Sequence, residues 1–300
     1  MKSGVLNLKK EQGFTSHDAV AKVRRLFGTK KVGHTGTLDP EATGVLPILI
    51  GNAVKACDLM PEETKVYRAT VRFGLESDTE DIWGTILKTD PCRPTEEEIR
   101  EAMSTFSGEY FQIPPMVSAV KVGGKKLYEY AREGKDVERA ARRVFIYNLT
   151  LLSFTPEEAS FRAEVSKGTY IRTLLVDLCR KAGVLGVMSS LCREKSGVFS
   201  LENTVTLEEL ESMDPVAREE SLLPTEELFF CYPVFSLPPF FDRLIANGCQ
   251  VLTKKIAAEH LPLGQKVRLY RAGAFFALGE VILTDGEKKL KKIKDFPPDP

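Results

Sequence analysis

The chain has 300 residues, 43% of them hydrophobic and 28% charged, with 42 basic side chains against 42 acidic ones. That length accommodates one large domain or two around a sizeable core, and the neutral balance excludes a protein that coats nucleic acid indiscriminately, because such binding is mainly phosphate electrostatics. No apolar run is long enough to span a bilayer, the six cysteines and three histidines lack the spacing of a zinc site, and neither a Walker loop nor G-x-G-x-x-G occurs, so no metal, no cofactor and no membrane partner are expected.

The opening residues, Met-Lys-Ser-Gly-Val-Leu-Asn-Leu-Lys-Lys, lack the apolar core and cleavage site of a secretory signal, and a cytoplasmic location is the expectation. Val20, Val23 and Phe27 recur at helical spacing and predict a helix over 16–27, with Ser16 as N-cap and Gly28 as stop. Lys22, Arg24, Arg25, Lys30 and Lys31 form an acid-free basic run, which is a solvated face or a local RNA surface.

Residues Gly33–Pro47 follow, with three glycines and two prolines around one histidine and one aspartate. Glycine permits sharp bends and close approach to a ligand; proline fixes chain direction, and Pro40 pushes Asp39 toward an extended conformation. Two readings stand. Asp39 is a stiffly held functional carboxylate on a loop, or it is the N-cap of a helix with Pro40 at the first position and Glu41 in the first turn.

Tyr67, Ala69, Val71 and Phe73 alternate with Arg68, Thr70 and Arg72, which predicts a half-buried strand over 66–73. Thr95 and Glu98 make a capping box for a helix whose apolar side is Ile99, Met103 and Phe106. Residues 121–143 hold eight basic side chains against four acidic ones, again a solvated face or an RNA surface. Phe161, Ala163 and Val165 mark another alternating strand. It leads through Lys167-Gly168-Thr169-Tyr170 into a helix with Ile171, Leu174, Leu175 and Leu178 on one stripe and Gly183 as its stop. Thr206 and Glu209 form one more capping box. Five prolines interrupt 214–240 and suggest a linker. Beyond it come a helix near Phe241–Asn247 and three strand-like runs at 266–270, 274–279 and 280–283. The mixed order predicts an α+β fold with a largely antiparallel sheet and a small β-rich C-terminal piece.

The segment Gly33–Pro47 resembles the motif G-H-x-G-x-L-D-P-x-A-x-G-x-L-P of the TruB family of tRNA pseudouridine synthases, and every fixed position is met. Lys65-Val66-Tyr67 is similar to the family's Lys-x-Tyr motif, and Ser166-Lys167-Gly168-Thr169-Tyr170-Ile171-Arg172-Thr173 to its Ser-x-Gly-Thr-Tyr-Ile-Arg-[Ser/Thr] motif. The resemblance implies a catalytic set of Asp39, Tyr67 and Arg172, with Arg172 pairing Asp39 and Tyr67 stacking on the target base. It implies substrate-binding roles for His34, which fills the space left by an extruded uridine, and for Tyr170, Leu191, Lys65 and Lys167. The segments 112–121 and 124–134 match a thumb-like insertion (about 112–145) that closes on the tRNA T-arm. The chain departs from many relatives in Leu191-Cys192-Arg193, where they carry Leu-Arg-Arg, and in Gly186-Val187-Met188, where several carry Gly-Ala-His.

The expected architecture is therefore a pseudouridine-synthase domain over 1–230, with a central, largely antiparallel mixed sheet flanked by helices, followed by a PUA-like RNA-binding domain over 231–300. The expected activity is isomerisation of uridine 55 in the TΨC loop, by a monomer without guide RNA. Three other classes compete. A pure RNA-binding protein has no need of Asp39, Tyr67 and Arg172 together. A guide-dependent relative usually carries long Lys-rich extensions, and the cluster Lys288-Lys289-Leu290-Lys291-Lys292 is short. A glycoside hydrolase requires a second carboxylate near the first, and Glu41 is the close one in sequence.

Overall fold

A computed structural model describes residues 2–61 and 64–297. The strands and helices run in the order β1 (Gly4–Lys10), α1 (Ser16–Leu26), β2 (Val32–His34), β3 (Thr43–Ile50), β4 (Lys65–Phe73), β5 (Leu75–Ser77), β6 (Ile86–Thr89), α2 (Glu96–Ser104) and β7 (Gly108–Gln112). A small hairpin, β8 (Lys121–Val122) and β9 (Lys125–Lys126), leads into α3 (Leu127–Arg132). Then come β10 (Arg142–Phe154), β11 (Glu158–Val165), α4 (Ile171–Lys181), β12 (Gly186–Ser196), β13 (Phe199–Ser200) and α5 (Leu207–Ser212).

One sheet of nine strands organises this part, with the path β1-β3-β12-β4-β11-β10-β7. Its pairs are antiparallel except β12 with β3. Strand β4 shows the alternation read from its sequence: Tyr67, Ala69, Val71 and Phe73 are buried, Arg68 and Arg72 exposed. Helices α1, α2, α4 and α5 cover one face with Ala19, Val20, Val23, Ile99, Ala102, Leu174, Leu175, Leu178, Leu207 and Leu210 in a single core. Fully burying a Leu, Ile or Val side chain stabilises by roughly 1.5–3 kcal/mol, so this face dominates the stability of the sheet. The capping boxes at Thr95 and Thr206 are formed. The N-cap of α1 is Thr15 rather than Ser16, because Asp18 completes a capping box with Thr15.

The proline-rich stretch 214–240 is not a bare linker. Asp214 caps α6 (Pro215–Glu220), with Pro215 at the position where its missing N–H costs nothing. Leu222, Leu228 and Phe229 are buried. A second sheet of five strands follows, in the order β14-β16-β17-β18-β15. Its elements are β14 (Val234–Ser236), α7 (Pro239–Ala246), β15 (Val251–Leu252), β16 (Lys266–Arg271), β17 (Ala274–Thr284) and β18 (Glu287–Asp295). The runs read as two strands at 274–279 and 280–283 are one continuous strand, β17. The two sheets share a core in which Val5, Val45 and Leu49 meet Leu228, Phe229, Leu278 and Phe296. Strand β3 is therefore buried on both sides, which explains its unbroken apolar sequence Gly44-Val45-Leu46-Pro47-Ile48-Leu49-Ile50. Among the described residues no helix is long and apolar enough to cross a membrane.

Candidate active site

Asp39 lies between β2 and β3 in a tight turn closed by the Ala42 amide donating to the Asp39 carbonyl at 3.1 Å. No helix starts there, so the N-cap reading of Asp39 is set aside: the chain enters β3 within four residues, too soon for a helical turn to close. Three buried side chains hold the backbone on either side. Ser16 Oγ accepts from the Leu38 amide at 2.9 Å and donates to the Leu38 carbonyl at 3.1 Å. Lys10 Nζ donates to the carbonyls of Glu11, Phe14 and Pro40 at 2.8, 2.6 and 2.8 Å. Burial pushes this ammonium down to about 8, against the opposing pull of Glu41 and Asp39. Arg193 donates to the carbonyls of Val45 at 2.7 Å and Gly36 at 3.1 Å.

Arg193 reaches those carbonyls because β12 runs beside β3 with Arg193 opposite Gly44. Gly44 has φ +106, and a Cβ there would lie 2.3 Å from the Arg193 carbonyl oxygen and 2.7 Å from its nitrogen. Gly44→Ala should therefore destabilise the protein by at least about 2 kcal/mol. A urea midpoint equal to that of the wild type would show that the two strands do not approach so closely.

The side chain of Asp39 is 40% exposed, whereas the Arg172 side chain that faces it is 3% exposed. Arg172 Nε stands 3.0 Å from Oδ2 and Nη2 donates to Oδ1 at 3.3 Å, a two-pronged pairing. Two further protons of the guanidinium go to the Thr79 carbonyl (Nη1, 2.7 Å) and the Val117 carbonyl (Nη2, 2.9 Å). Asp81 Oδ2 lies 3.7 Å from Nη1. One side chain thus ties the Asp39 turn, the 79–81 turn and the start of the 112–145 insertion. Glu80, between Thr79 and Asp81, holds a positive φ of 66°, a costly conformation for a side-chain-bearing residue. Its carboxylate accepts from Thr173 Oγ1 at 2.5 Å. Gln112 fixes the entry to α4: its amide exchanges two hydrogen bonds with the Tyr170 backbone, at 2.8 and 2.9 Å.

A cleft of about 280 Å³ opens over this pair. Asp39, Lys65, Tyr67, Lys167, Tyr170, Arg172 and Leu191 all line it, although they come from four separate stretches of chain. His34 does not line it; Thr35, the next residue, does. Thr35 Oγ1 and Ser118 Oγ are buried there without a protein partner. His34 is half-buried in β2 with Nδ1 unpaired. Burial, and then the cations of Arg193, His17 and Lys65, hold its imidazole below the usual 6.5. The unfolded chain therefore takes up this proton first as pH falls below 6.5, and the residue's contribution to stability declines with it. Its ring-proton shift should report more of the neutral form at pH 6.5 than a free imidazole shows, and wild type should lose stability relative to His34→Gln as pH falls below 6.5.

Sequence reasoning missed several parts of the site. The second carboxylate at the pair is Asp81, not Glu41, which instead accepts from Gln12 Nε2 at 2.9 Å. Lys10 carries no signal in the sequence that separates it from a surface lysine, Ser16 reads there only as a helix cap, and Arg193 only as part of the Leu191-Cys192-Arg193 stretch. The basic runs are partly consumed by the fold itself. Arg24 donates to the Val32 carbonyl at 3.1 Å. Lys22 pairs Glu211 at 2.9 Å, and Lys125 pairs Glu133. Among the described residues no three His, Cys, Asp or Glu side chains gather as a metal ion would need.

Comparison with known proteins adds to this geometry. The family profile described as TruB family pseudouridylate synthase (N terminal domain) matches residues 24–171. The chain is 44% identical to the tRNA pseudouridine synthase B of Alkaliphilus oremlandii over 292 residues, 97% of each chain. It is 51% identical to the protein of that name from Oceanobacillus iheyensis over 224 residues, 73% of this chain and 74% of the other. Among solved structures, a chain in a crystal structure of a Cbf5-Nop10-Gar1 complex superposes with a TM-score of 0.75 at 26% identity, covering 98% of this chain and 85% of that one.

Proposed function

The chain belongs to the TruB family of pseudouridylate synthases, and on that premise we propose that it isomerises uridine 55 in the TΨC loop of tRNA to pseudouridine. The observation that carries this reading is the Asp39–Arg172 pair, with one oxygen edge turned into a cleft that Tyr67 and Tyr170 also line. Pockets for small molecules run from roughly 300 to 1,000 Å³. A cleft of about 280 Å³ therefore suits one extruded nucleoside and not a duplex.

The reaction breaks the N1–C1′ bond and joins C5 to C1′; C5 loses a proton and N1 gains one, so no atom is added. The T-arm docks on the basic surfaces, Lys65 and Lys167 at the cleft and the 112–145 insertion above it. The uridine leaves its stack at a cost of a few kcal/mol and lies on Tyr67, and His34 fills the space it vacates in the RNA. Asp39 then acts, by adding to the base or by attacking or deprotonating the ribose. A carboxylate suits such work because it is also a competent leaving group. Arg172 keeps it aimed through the two-pronged pairing. Tyr67 offers a ring to stack on and a hydroxyl to exchange a proton. The buried, unpartnered hydroxyls of Thr35 and Ser118 are suited to the polar edge of the base.

The protein acts as a monomer without guide RNA. Its 44% identity to a tRNA pseudouridine synthase B along 97% of both chains supports tRNA as the substrate. The residues from 231 onward act as a PUA-like RNA-binding module. Incubation with unmodified tRNA transcript, followed by mapping of the product, should find pseudouridine at position 55 alone. Modification at another position, or none, would overturn the assignment.

A further inference from the structure

Strand β10 carries two aromatic side chains that the fold leaves open. Phe145 and Tyr147 are 42% and 51% exposed, with ring centres 4.8 Å apart. Ile146 between them is buried in the core. The pairing of β10 with β11 shifts register between Ile146 and Asn148, so Tyr147 sits at a bulge, a device that re-aims a side chain. The two rings help line a second cleft, of about 460 Å³, with Thr64, Arg143, Ser166 and Lys167. Lys167 lines the catalytic cleft as well, so the two openings share a wall.

The wall is built in. Ser166 Oγ accepts from the Phe145 amide at 2.8 Å, and the Ser166 amide donates to the Phe145 carbonyl at 2.8 Å. Strand β10 is thereby fastened to the 166–168 loop that borders the Asp39–Arg172 pair. The cleft beside the rings carries two cations, Arg143 and Lys167, and Glu109 stands opposite Phe145 on β7. Arg143 leans on Glu109 at 3.1 Å but keeps 75% of its side chain exposed, and Lys167 has no carboxylate partner among the described residues. Exposed rings add little to the stability of a sheet. Flanked by cations and opening onto a nucleotide-sized cleft, they offer what a single-stranded nucleic acid requires, a π-face for a base and positive charge for its phosphate.

We propose that this second cleft is a base-stacking subsite. An unstacked base of the substrate RNA, adjacent to the extruded uridine, lies on Phe145 and Tyr147 with its phosphate between Arg143 and Lys167. The proposal rests on the RNA-modifying reading given above. Removing one nucleotide from a loop strips its neighbours of stacking, and a platform next to the catalytic cleft restores it to one of them. Stacking tolerates any base, so the subsite contributes affinity and no sequence preference.

The test uses the full chain and labelled, unmodified tRNA transcript. The double variant Phe145→Ala/Tyr147→Ala should bind about tenfold more weakly. The slope of log affinity against log salt should stay as in wild type, because no phosphate contact is lost. Phe145→Tyr/Tyr147→Phe should bind as wild type does. In contrast, Arg143→Ala should reduce the salt slope by about 1. Thermal unfolding verifies that each variant is folded; should the double alanine variant fail to fold, the single changes Phe145→Ala and Tyr147→Ala carry the same test. Wild-type affinity in the alanine variants overturns the subsite, as does an affinity loss matched by a loss of salt slope. So does a finding that the rings govern self-association and not RNA binding. A wild-type chain that neither binds nor modifies tRNA overturns the functional reading and the subsite together; one that modifies tRNA with affinity indifferent to the rings overturns the subsite alone.

Discussion

Asp39→Asn should bind tRNA within about threefold of wild type and form pseudouridine at least about 10⁴-fold more slowly. Asparagine keeps the size of the side chain and one acceptor oxygen for Arg172, and the turn is still held by Ser16, Lys10 and Arg193. What vanishes is the charge and with it the capacity to attack or to take a proton. Single-turnover mapping with enzyme in excess over RNA separates this from slow product release. Turnover near the wild-type rate would remove Asp39 from the reaction.

Arg172→Met should cost about 3 kcal/mol of stability and remove most of the activity. The side chain is 3% exposed and satisfies acceptors on three segments: Asp39, Thr79 and Val117. Methionine fills similar volume but leaves those acceptors unpaired, and breaking a buried ion pair by removing one partner costs about 3–5 kcal/mol. The lower end applies because Asp39 itself stays partly in water. Arg172→Lys should recover part of the stability and little of the activity. One ammonium cannot reproduce the flat, two-pronged grip that fixes the carboxylate's direction. Urea unfolding and single-turnover rates measure both effects. A methionine variant as stable as wild type would show that the guanidinium does not tie these segments together.

The parts of the fold with a strict period were readable in the sequence. The alternation in 66–73 and 161–165 produced β4 and β11, and the stripe Ile171, Leu174, Leu175, Leu178 produced α4. Period alone could not bring Asp39 to Arg172, which lies 133 residues further along; motif resemblance did that. The misses have physical causes. At the start of α1 two hydroxyl residues adjoin, and the choice between Thr15 and Ser16 turned on an aspartate three residues after the first. Prolines at 215 and 224 read as breaks, yet one opens a helix and the chain between them buries Leu222. Lys10 and Arg193 are full charges with no exposed surface. Charged residues are rarely that deep, and what draws these two inward is backbone carbonyl groups in and around the Asp39 turn, which have no representation in side-chain pattern. Asp81 was missed because its partner lies on a distant helix.

Strand β3 has one more implication. Leu46, Ile48 and Ile50 point toward the helices, while Val45 and Leu49 rest against Leu278 and Phe296 from the far end of the chain. The same strand begins four residues after Asp39. A deletion that removes everything past residue 233 would therefore do more than weaken the grip on RNA. It would strip the backing from the rail on which the Asp39 carboxylate is mounted, so loss of those residues should register as a slower chemical step in addition to poorer capture.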